Sequence, residues 1–284
     1  MTQLSDQLAA KRNQLLELLA SFGSCAVAYS GGVDSAVVAK AAQLALGDAA
    51  VAMTGVSASL ADGELEQAVE LAKQIGIRHR PLDTDELANP AYTANAPDRC
   101  FHCKTELYTQ LAEVAERLGV AVIASGTNAD DLGDYRPGLA AAANHRVRAP
   151  LAECGITKAD VRALAAAWNL PVADKPASPC LSSRIAYGQS VTPERLRMID
   201  RAEQIVRSLG IKVCRVRFLA GDVARIEVPT ESIAVLTAPA THAMLTDELR
   251  RLGFQSATID PRGFRSGSLN DALAVHQIDL PALH

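Results

Sequence analysis

Ser30-Gly31-Gly32-Val33-Asp34-Ser35 stands between a short apolar run at 25–29 and a helical pattern at 35–46. Strand, tight glycine turn and helix in that order make a cradle for an anion. The glycines let backbone N–H groups come close to phosphate oxygens, and the helix that follows turns the positive end of its dipole to the same place. Ser30 and Ser35 add hydroxyl donors, and Asp34 is suited to hold Mg²⁺ against the phosphates. The alternative reading is a plain glycine turn between strand and helix. The strand before it and the helix after it favour the phosphate loop. The Gly-Lys-[Ser/Thr] of a Walker A loop is absent from this stretch, which disfavours simple hydrolysis of a γ-phosphate.

Outward from this loop the pattern repeats. Strands are expected at 50–54, 78–82 and 121–124, with helices at 62–74 and 105–118 between them, after an amphipathic helix near the N-terminus. Such alternation predicts an α/β fold, a parallel sheet covered by helices on both faces, with ligands at the carboxyl ends of the strands. Ser125-Gly126-Thr127-Asn128-Ala129-Asp130-Asp131 leaves the fourth strand at that end. A helix is expected at 157–168 with Thr157 as N-cap. The stretch from Asp174 to Arg184 then breaks all periodicity, and Pro176 and Pro179 make it a stiff loop around Cys180. Beyond Gly188 come a helix at 193–209, strands at 212–218 and 224–228, a helix at 241–252 and a strand at 256–260. The expected organisation is a main domain over 1–188 that carries the Cys180 loop. A smaller α+β domain over 189–284 would serve the substrate or oligomerisation.

The composition, 49% hydrophobic and 21% charged, is that of an ordinary globular protein. A net charge of -4 and 4% aromatic residues give little for a grip on nucleic acid. No window reaches the roughly 18 consecutive apolar residues of a membrane helix, and the first 22 residues do not read as a signal peptide. A cytoplasmic protein is expected, so its six cysteines are core filler, metal ligands or nucleophiles rather than a disulfide framework. Cys25, Cys154 and Cys214 read as structural. Cys180 sits among prolines and polar residues, where Lys175 and Arg184 are expected to lower its pKa. Cys100 and Cys103 form a single Cys-x-x-Cys, open to half a zinc site, a redox pair or chance. With Cys180 they make three thiolates, enough to hold a four-iron four-sulfur cluster with one iron open. In the second domain Arg215 and Arg217 share one face of a strand, opposed by Arg225 and Glu227. This is either a solvated face or a site for a substrate phosphate. Arg265 with Ser266 and Ser268 offers the same chemistry.

The Ser30–Ser35 stretch resembles the signature of the PP-loop ATP pyrophosphatases, an adenine nucleotide alpha hydrolase-like class. The resemblance implies cleavage of ATP between its α- and β-phosphates, with AMP loaded onto the substrate. It also makes the Ser125–Asp131 stretch similar to the second nucleotide loop of that class, with Gly126, Thr127, Asp130 and Asp131 at ATP. Arg99-Cys100-Phe101-His102-Cys103-Lys104, Pro150-Leu151 with Thr157-Lys158, Pro179-Cys180-Leu181-Ser182-Ser183-Arg184-Ile185 with Tyr187-Gly188, and Arg265-Ser266-Gly267-Ser268-Leu269-Asn270 together resemble the LarE family. Members are sulfurtransferases acting on pyridinium-3,5-biscarboxylic acid mononucleotide in the making of the nickel-pincer nucleotide of lactate racemase. The resemblance implies ATP and Mg²⁺ as cofactors, a carboxylate activated as its adenylate, and attack by Cys180. The sulfur then comes either from Cys180 itself, leaving dehydroalanine, or through a cluster on Cys100, Cys103 and Cys180. Arg184, Arg215, Arg217, Glu227 and Arg265 are the expected substrate contacts. A homo-oligomer is expected, in transient contact with other proteins of that pathway, with a small nucleotide substrate and no nucleic acid or membrane partner. The rival readings are an ammonia-using PP-loop ligase of the NAD synthetase kind, a tRNA thiolase, and a non-catalytic ATP sensor.

Overall fold

The computed structural model describes residues 4–133, 137–176 and 178–265. Contacts divide the chain into two compact units, Met1–Tyr92 with Asp98–Pro179, and Thr93–Pro97 with Cys180–His284. The boundary falls inside the loop around Cys180: its residues up to Pro179 group with the first unit and Cys180 to Arg184 with the second, whereas the sequence pattern sets the whole loop in the first. Among the described residues no helix is long and apolar enough to cross a membrane.

Unit one is built on strands β1 (Cys25–Ala28), β2 (Ala50–Val56), β3 (Arg78–Asp83) and β4 (Val122–Ala124), all parallel, in the order β3-β2-β1-β4. Its helices include α1 (Asp6–Ser21), α2 (Val33–Leu46), α3 (Glu64–Ile75), α4 (Arg99–Arg117), α5 (Pro137–Asn144) and α6 (Lys158–Ala167). Strand residues alternate between two cores, as a sheet buried on both faces requires. Cys25 and Val27 pack with Leu19 of α1, Val37 of α2, Leu71 of α3 and Leu164 of α6. Ala26, with Met53, packs on the other face with Leu111 and Val114 of α4 and Ala141 of α5. From β1 the chain works outward through β2 and β3, then returns to place β4 on the far side of β1. The carboxyl ends of β1 and β4 thus flank the point where strand order reverses, the favoured ligand position in an open parallel sheet.

Helix α4 begins six residues before the expected 105–118 segment, at Arg99. Its first turns, Cys-Phe-His-Cys, are weak helix formers with no apolar period, and only the context of the fold makes them helical. The Pro137–Asn144 helix was likewise hidden behind a proline and a glycine.

Unit two holds a three-stranded sheet of β5 (Arg215–Leu219), β6 (Val223–Glu227) and β7 (Ser256–Ile259), in that order. Strands β5 and β6 form an antiparallel hairpin turned through Gly221 and Asp222, both at positive φ, while β6 and β7 run parallel. Helices α7 (Pro193–Ser208) and α8 (Pro239–Arg251) complete the small α+β fold. The Thr93–Pro97 segment is stitched to this unit by Asn95, fully buried at φ 57. Its amide donates to the carbonyls of Ile185, Ala186 and Gln189 at 3.3, 2.8 and 2.9 Å. The core of the unit includes an ion pair: Arg184, 1% exposed, reaches Glu203, 0% exposed, with Nε to Oε1 at 2.9 Å and Nη2 to Oε2 at 3.3 Å. Glu203 also accepts from Arg207 Nη2 at 2.7 Å and from the Val216 amide at 3.2 Å.

Removing one partner of a buried pair leaves the other charge uncompensated, at a cost of about 3–5 kcal/mol. Glu203→Ala is expected to lower the stability of unit two by that amount in urea denaturation. An unchanged midpoint would contradict the placement of this pair.

Candidate active site

The stretch after β1 forms a compact loop whose own groups set its shape. Gly31 sits at φ 70, where side chains are strained, and a Cβ there would lie 3.2 Å from the Ala68 Cβ of α3. Gly32 is the N-cap of α2 and supplies no side-chain cap, so the first N–H groups of the helix remain open to an anion. The buried Ser35 hydroxyl donates to the Gly32 carbonyl at 3.1 Å and accepts from the Ser30 amide at 3.2 Å. The Ser30 hydroxyl lies 3.2 Å from it. Both serines, expected as phosphate donors, use their hydroxyls to hold the loop in form.

The second loop comes against the first from β4. A Cβ on Gly126 would lie 2.8 Å from the Ser35 nitrogen and 3.1 Å from its Cα, so the approach is backbone on backbone. Two residues on, buried Asn128 donates from Nδ2 to Asp34 Oδ1 at 3.1 Å, and Lys158 Nζ meets Asp34 Oδ2 at 2.5 Å. Asp130 and Asp131 serve the loop itself. Asp130 Oδ2 accepts from the Lys158 amide at 2.8 Å, and Asp131 Oδ2 accepts from the Asn128 amide at 3.1 Å. Thr127 Oγ1 accepts from Ser125 Oγ at 3.1 Å. Ser30, Gly31, Gly32, Asp34, Ser35, Gly126, Thr127, Asp130 and Asp131 are thereby gathered at the carboxyl ends of β1 and β4. A partly exposed carboxylate beside open helix N–H groups fits a Mg²⁺–polyphosphate, with Lys158 as a further cation.

Lys158 and Asn128 were not predicted as site residues. Both stand in stretches that carry the family resemblance, but their pairing carries no local signal, because their common partner Asp34 is 124 and 94 residues away in sequence. Braces below the loop were also missed. Thr54 donates from Oγ1 to the Tyr29 carbonyl at 2.7 Å and stands 2.8 Å from His79 Nε2. Burial holds His79 below its usual pKa and pushes the Tyr29 phenol up. At the end of β2, Ser57 and Ser59 each donate to Glu86 Oε1 at 2.6 Å.

The cysteines fall into two kinds. Burial pushes Cys25 up to about 12 and Cys214 up to about 11, and raises Cys154, so these thiols are held protonated. Cys100 is exposed and Cys103 partly so, three apart in the first turns of α4 and therefore on one side of the helix. Among the described residues, no three of His, Cys, Asp and Glu are grouped as a metal centre.

In unit two Cys180 is exposed and heads the 3-10 turn Leu181–Arg184. Its carbonyl accepts from the Ser183 amide, the Ser183 hydroxyl and Arg184 Nη1 at 3.0, 2.7 and 3.0 Å. The cations expected to favour its thiolate already answer carboxylates, Arg184 pairing with Glu203 and, in unit one, Lys175 with Glu64. Arg215 and Arg217 are buried, not a solvated strand face. Arg217 Nε donates to Glu227 Oε2 at 2.9 Å and Arg225 Nη2 to Glu227 Oε1 at 3.0 Å. Arg215 donates to the Cys214 carbonyl at 2.7 Å and lies over the Phe264 ring, its pKa drawn down to about 10 by burial and by Arg184. Arg265 lies at the end of the described residues, and Ser266 and Ser268 lie outside them.

Comparison with known proteins places these features in context. The NAD synthase family profile matches residues 12–107, a stretch that includes the first loop but neither the second loop nor Cys180. An uncharacterised protein of Synechocystis sp. is 44% identical over 94% of this chain and 99% of its own. The pyridinium-3,5-bisthiocarboxylic acid mononucleotide synthase of Lactiplantibacillus plantarum is 36% identical over 95% of this chain and 98% of its own. A tRNA-specific 2-thiouridylase MnmA of Xanthobacter autotrophicus is 35% identical, over 60% of this chain and 54% of its own.

Contact of the two loops is tested at its narrowest point. Gly126→Ala forces the Ser35 backbone to move, which is expected to cost about 1–3 kcal/mol and to weaken adenine nucleotide binding, read by melting temperature and calorimetry. Gly133→Ala, where an added Cβ meets nothing within 4 Å, should change neither.

Proposed function

This chain belongs to the LarE family of PP-loop enzymes, and on that premise we propose that it is an ATP-dependent, AMP- and pyrophosphate-forming sulfurtransferase. It adenylates a carboxylate of pyridinium-3,5-biscarboxylic acid mononucleotide and converts it to a thiocarboxylate, in nickel-pincer nucleotide biosynthesis. The observation that carries the reading is similarity over nearly the whole of both chains, whereas the NAD synthase and 2-thiouridylase matches cover only part of this one.

A carboxylate is a poor electrophile until one oxygen becomes part of a good leaving group, and AMP is one. The first N–H groups of α2, at Val33 and Asp34, and the cation Lys158 suit the departing pyrophosphate. Asp34 would hold Mg²⁺, which supplies charge neutralisation between the phosphates when bound. In the sacrificial route the Cys180 thiolate attacks the acyl carbon and AMP leaves with the bonding pair. The Cα proton of Cys180 then passes to a base or to water and its Cβ–S bond breaks with the pair leaving on sulfur, giving the thiocarboxylate and dehydroalanine. In the alternative, Cys100, Cys103 and Cys180 would hold a four-iron four-sulfur cluster whose open iron would present sulfide from an added sulfide source to the acyl carbon in place of the Cys180 thiolate, and the protein would turn over repeatedly. In this reading Arg215, Arg217 and Arg265, with Glu227, would hold the anionic mononucleotide, and Arg184, paired with Glu203, would act there by shaping the Cys180 turn. The reading extends to a division of labour between a domain over 1–188 for adenylation and one over 189–284 for the substrate. It extends also to a cytoplasmic homo-oligomer in transient contact with other proteins of the pathway.

With ATP, Mg²⁺ and the mononucleotide, AMP and pyrophosphate are expected, and accumulation of ADP and phosphate would sink the proposal. Asp34→Ala should abolish this turnover while the melting temperature stays within a few degrees. Cys180→Ser should form no thiocarboxylate by either route. If Cys180 is sacrificed, the spent chain is lighter by one hydrogen sulfide in the peptide containing it, and Cys100→Ser remains active. If a cluster acts, the anaerobic protein is brown, and Cys100→Ser and Cys103→Ser each lose iron and activity.

A further inference from the structure

Residues 173–176 and Ser178, on the way from α6 to the sulfur-bearing loop, are clamped between α3 and α6. Glu64, the first residue of α3, accepts from Lys175 Nζ at 3.1 Å through Oε2 and from the Ser178 hydroxyl at 3.0 Å through Oε1. Gln67 Oε1 accepts from the same Lys175 Nζ at 3.1 Å. On the other side Arg162 of α6 donates to the Ala173 carbonyl at 2.5 Å and the Lys175 carbonyl at 3.4 Å. Pro176 and Pro179 narrow the freedom of what remains. The ion pair is largely shielded, with side chains 23% and 19% exposed, so it is less screened than a surface pair.

The same two helices grip the phosphate loop. One turn beyond Glu64, Ala68 abuts Gly31, and one turn before Arg162, Lys158 holds Asp34. Phosphate loop and strap therefore share a single rigid mount within unit one, and the strap ends at Ser178, two residues before Cys180 in the chain.

We propose that Glu64, with Lys175 as its partner, is a positioning residue for the sulfur step, anchoring the strap that leads to Cys180. This rests on the reading of Cys180 as the sulfur residue. Neither adenylation nor attack by sulfur draws on the Glu64 carboxylate, since adenylation needs no base and a second negative charge disfavours a thiolate. Its worth lies in limiting the positions open to the following residues, and misplacement of a nucleophile by about an ångström costs on the order of a hundredfold in rate.

The test compares wild type with Glu64→Ala, Lys175→Ala and the exchanged pair Glu64→Lys with Lys175→Glu. Two rates are followed, thiocarboxylate formation and carboxylate-dependent ATP–pyrophosphate exchange. Both single variants should form thiocarboxylate at least about tenfold more slowly, while exchange and the KM for ATP stay within about twofold; the exchanged pair should recover part of the loss. Unchanged thiocarboxylate formation, or an equal fall in both rates, overturns the proposal. Absence of thiocarboxylate from the wild type would instead refute the sulfurtransferase reading. The strap is then judged by hydrogen exchange: the Ala173 and Lys175 amides, bonded to the Leu170 and Val172 carbonyls, should exchange faster in Glu64→Ala with α2 unaffected. Unaltered exchange there overturns it.

Discussion

Gly126 has room for a hydrogen and nothing larger, because the backbone of Ser35 occupies the space a side chain would take. The rest of unit one is arranged around that contact. It requires β4 to lie beside β1, which the reversal of strand order supplies, and it requires β1 to be buried on both faces so that its end is rigid. Only then can Asn128, two residues past the glycine, reach Asp34 at the head of α2. An anion site assembled from open helix N–H groups is a matter of backbone placement, and placement of this kind is set by packing rather than by any one side chain.

The charged residues follow a common pattern. Asp34 meets Lys158, Glu64 meets Lys175, Glu203 meets Arg184 and Glu227 meets Arg217. The last two pairs are buried, and such pairs contribute position more than stability, since desolvation offsets most of their attraction. Arg184 illustrates the consequence. It turns one edge of its guanidinium to Glu203 and the other to the Cys180 carbonyl, so it shapes the cysteine loop while its charge is answered elsewhere.

The fold was legible from the sequence wherever local pattern and tertiary demand agree. Apolar runs of strand length, a glycine turn and helical periodicity marked β1 to β3, α2 and α3 within a few residues. The start of α4 was not legible, because Cys100 to Cys103 are indifferent helix formers held helical by the fold. The turn from β1 into α2 was readable because its six residues are contiguous. The pairings of Lys158, Asn128, Glu64 and Glu203 were not, since each acts on a partner brought near only by folding. Parity along a strand placed Arg215 and Arg217 together but said nothing of depth. Both are buried, with Glu227 beneath Arg217.

Activation of a carboxylate as its adenylate is the central claim, and the fate of one oxygen tests it most directly. With the substrate carboxylates labelled with heavy oxygen, each conversion should deliver one labelled oxygen to the phosphate of AMP, because the acyl–oxygen bond breaks when sulfur enters. Unlabelled AMP, or label appearing in pyrophosphate, would contradict the account.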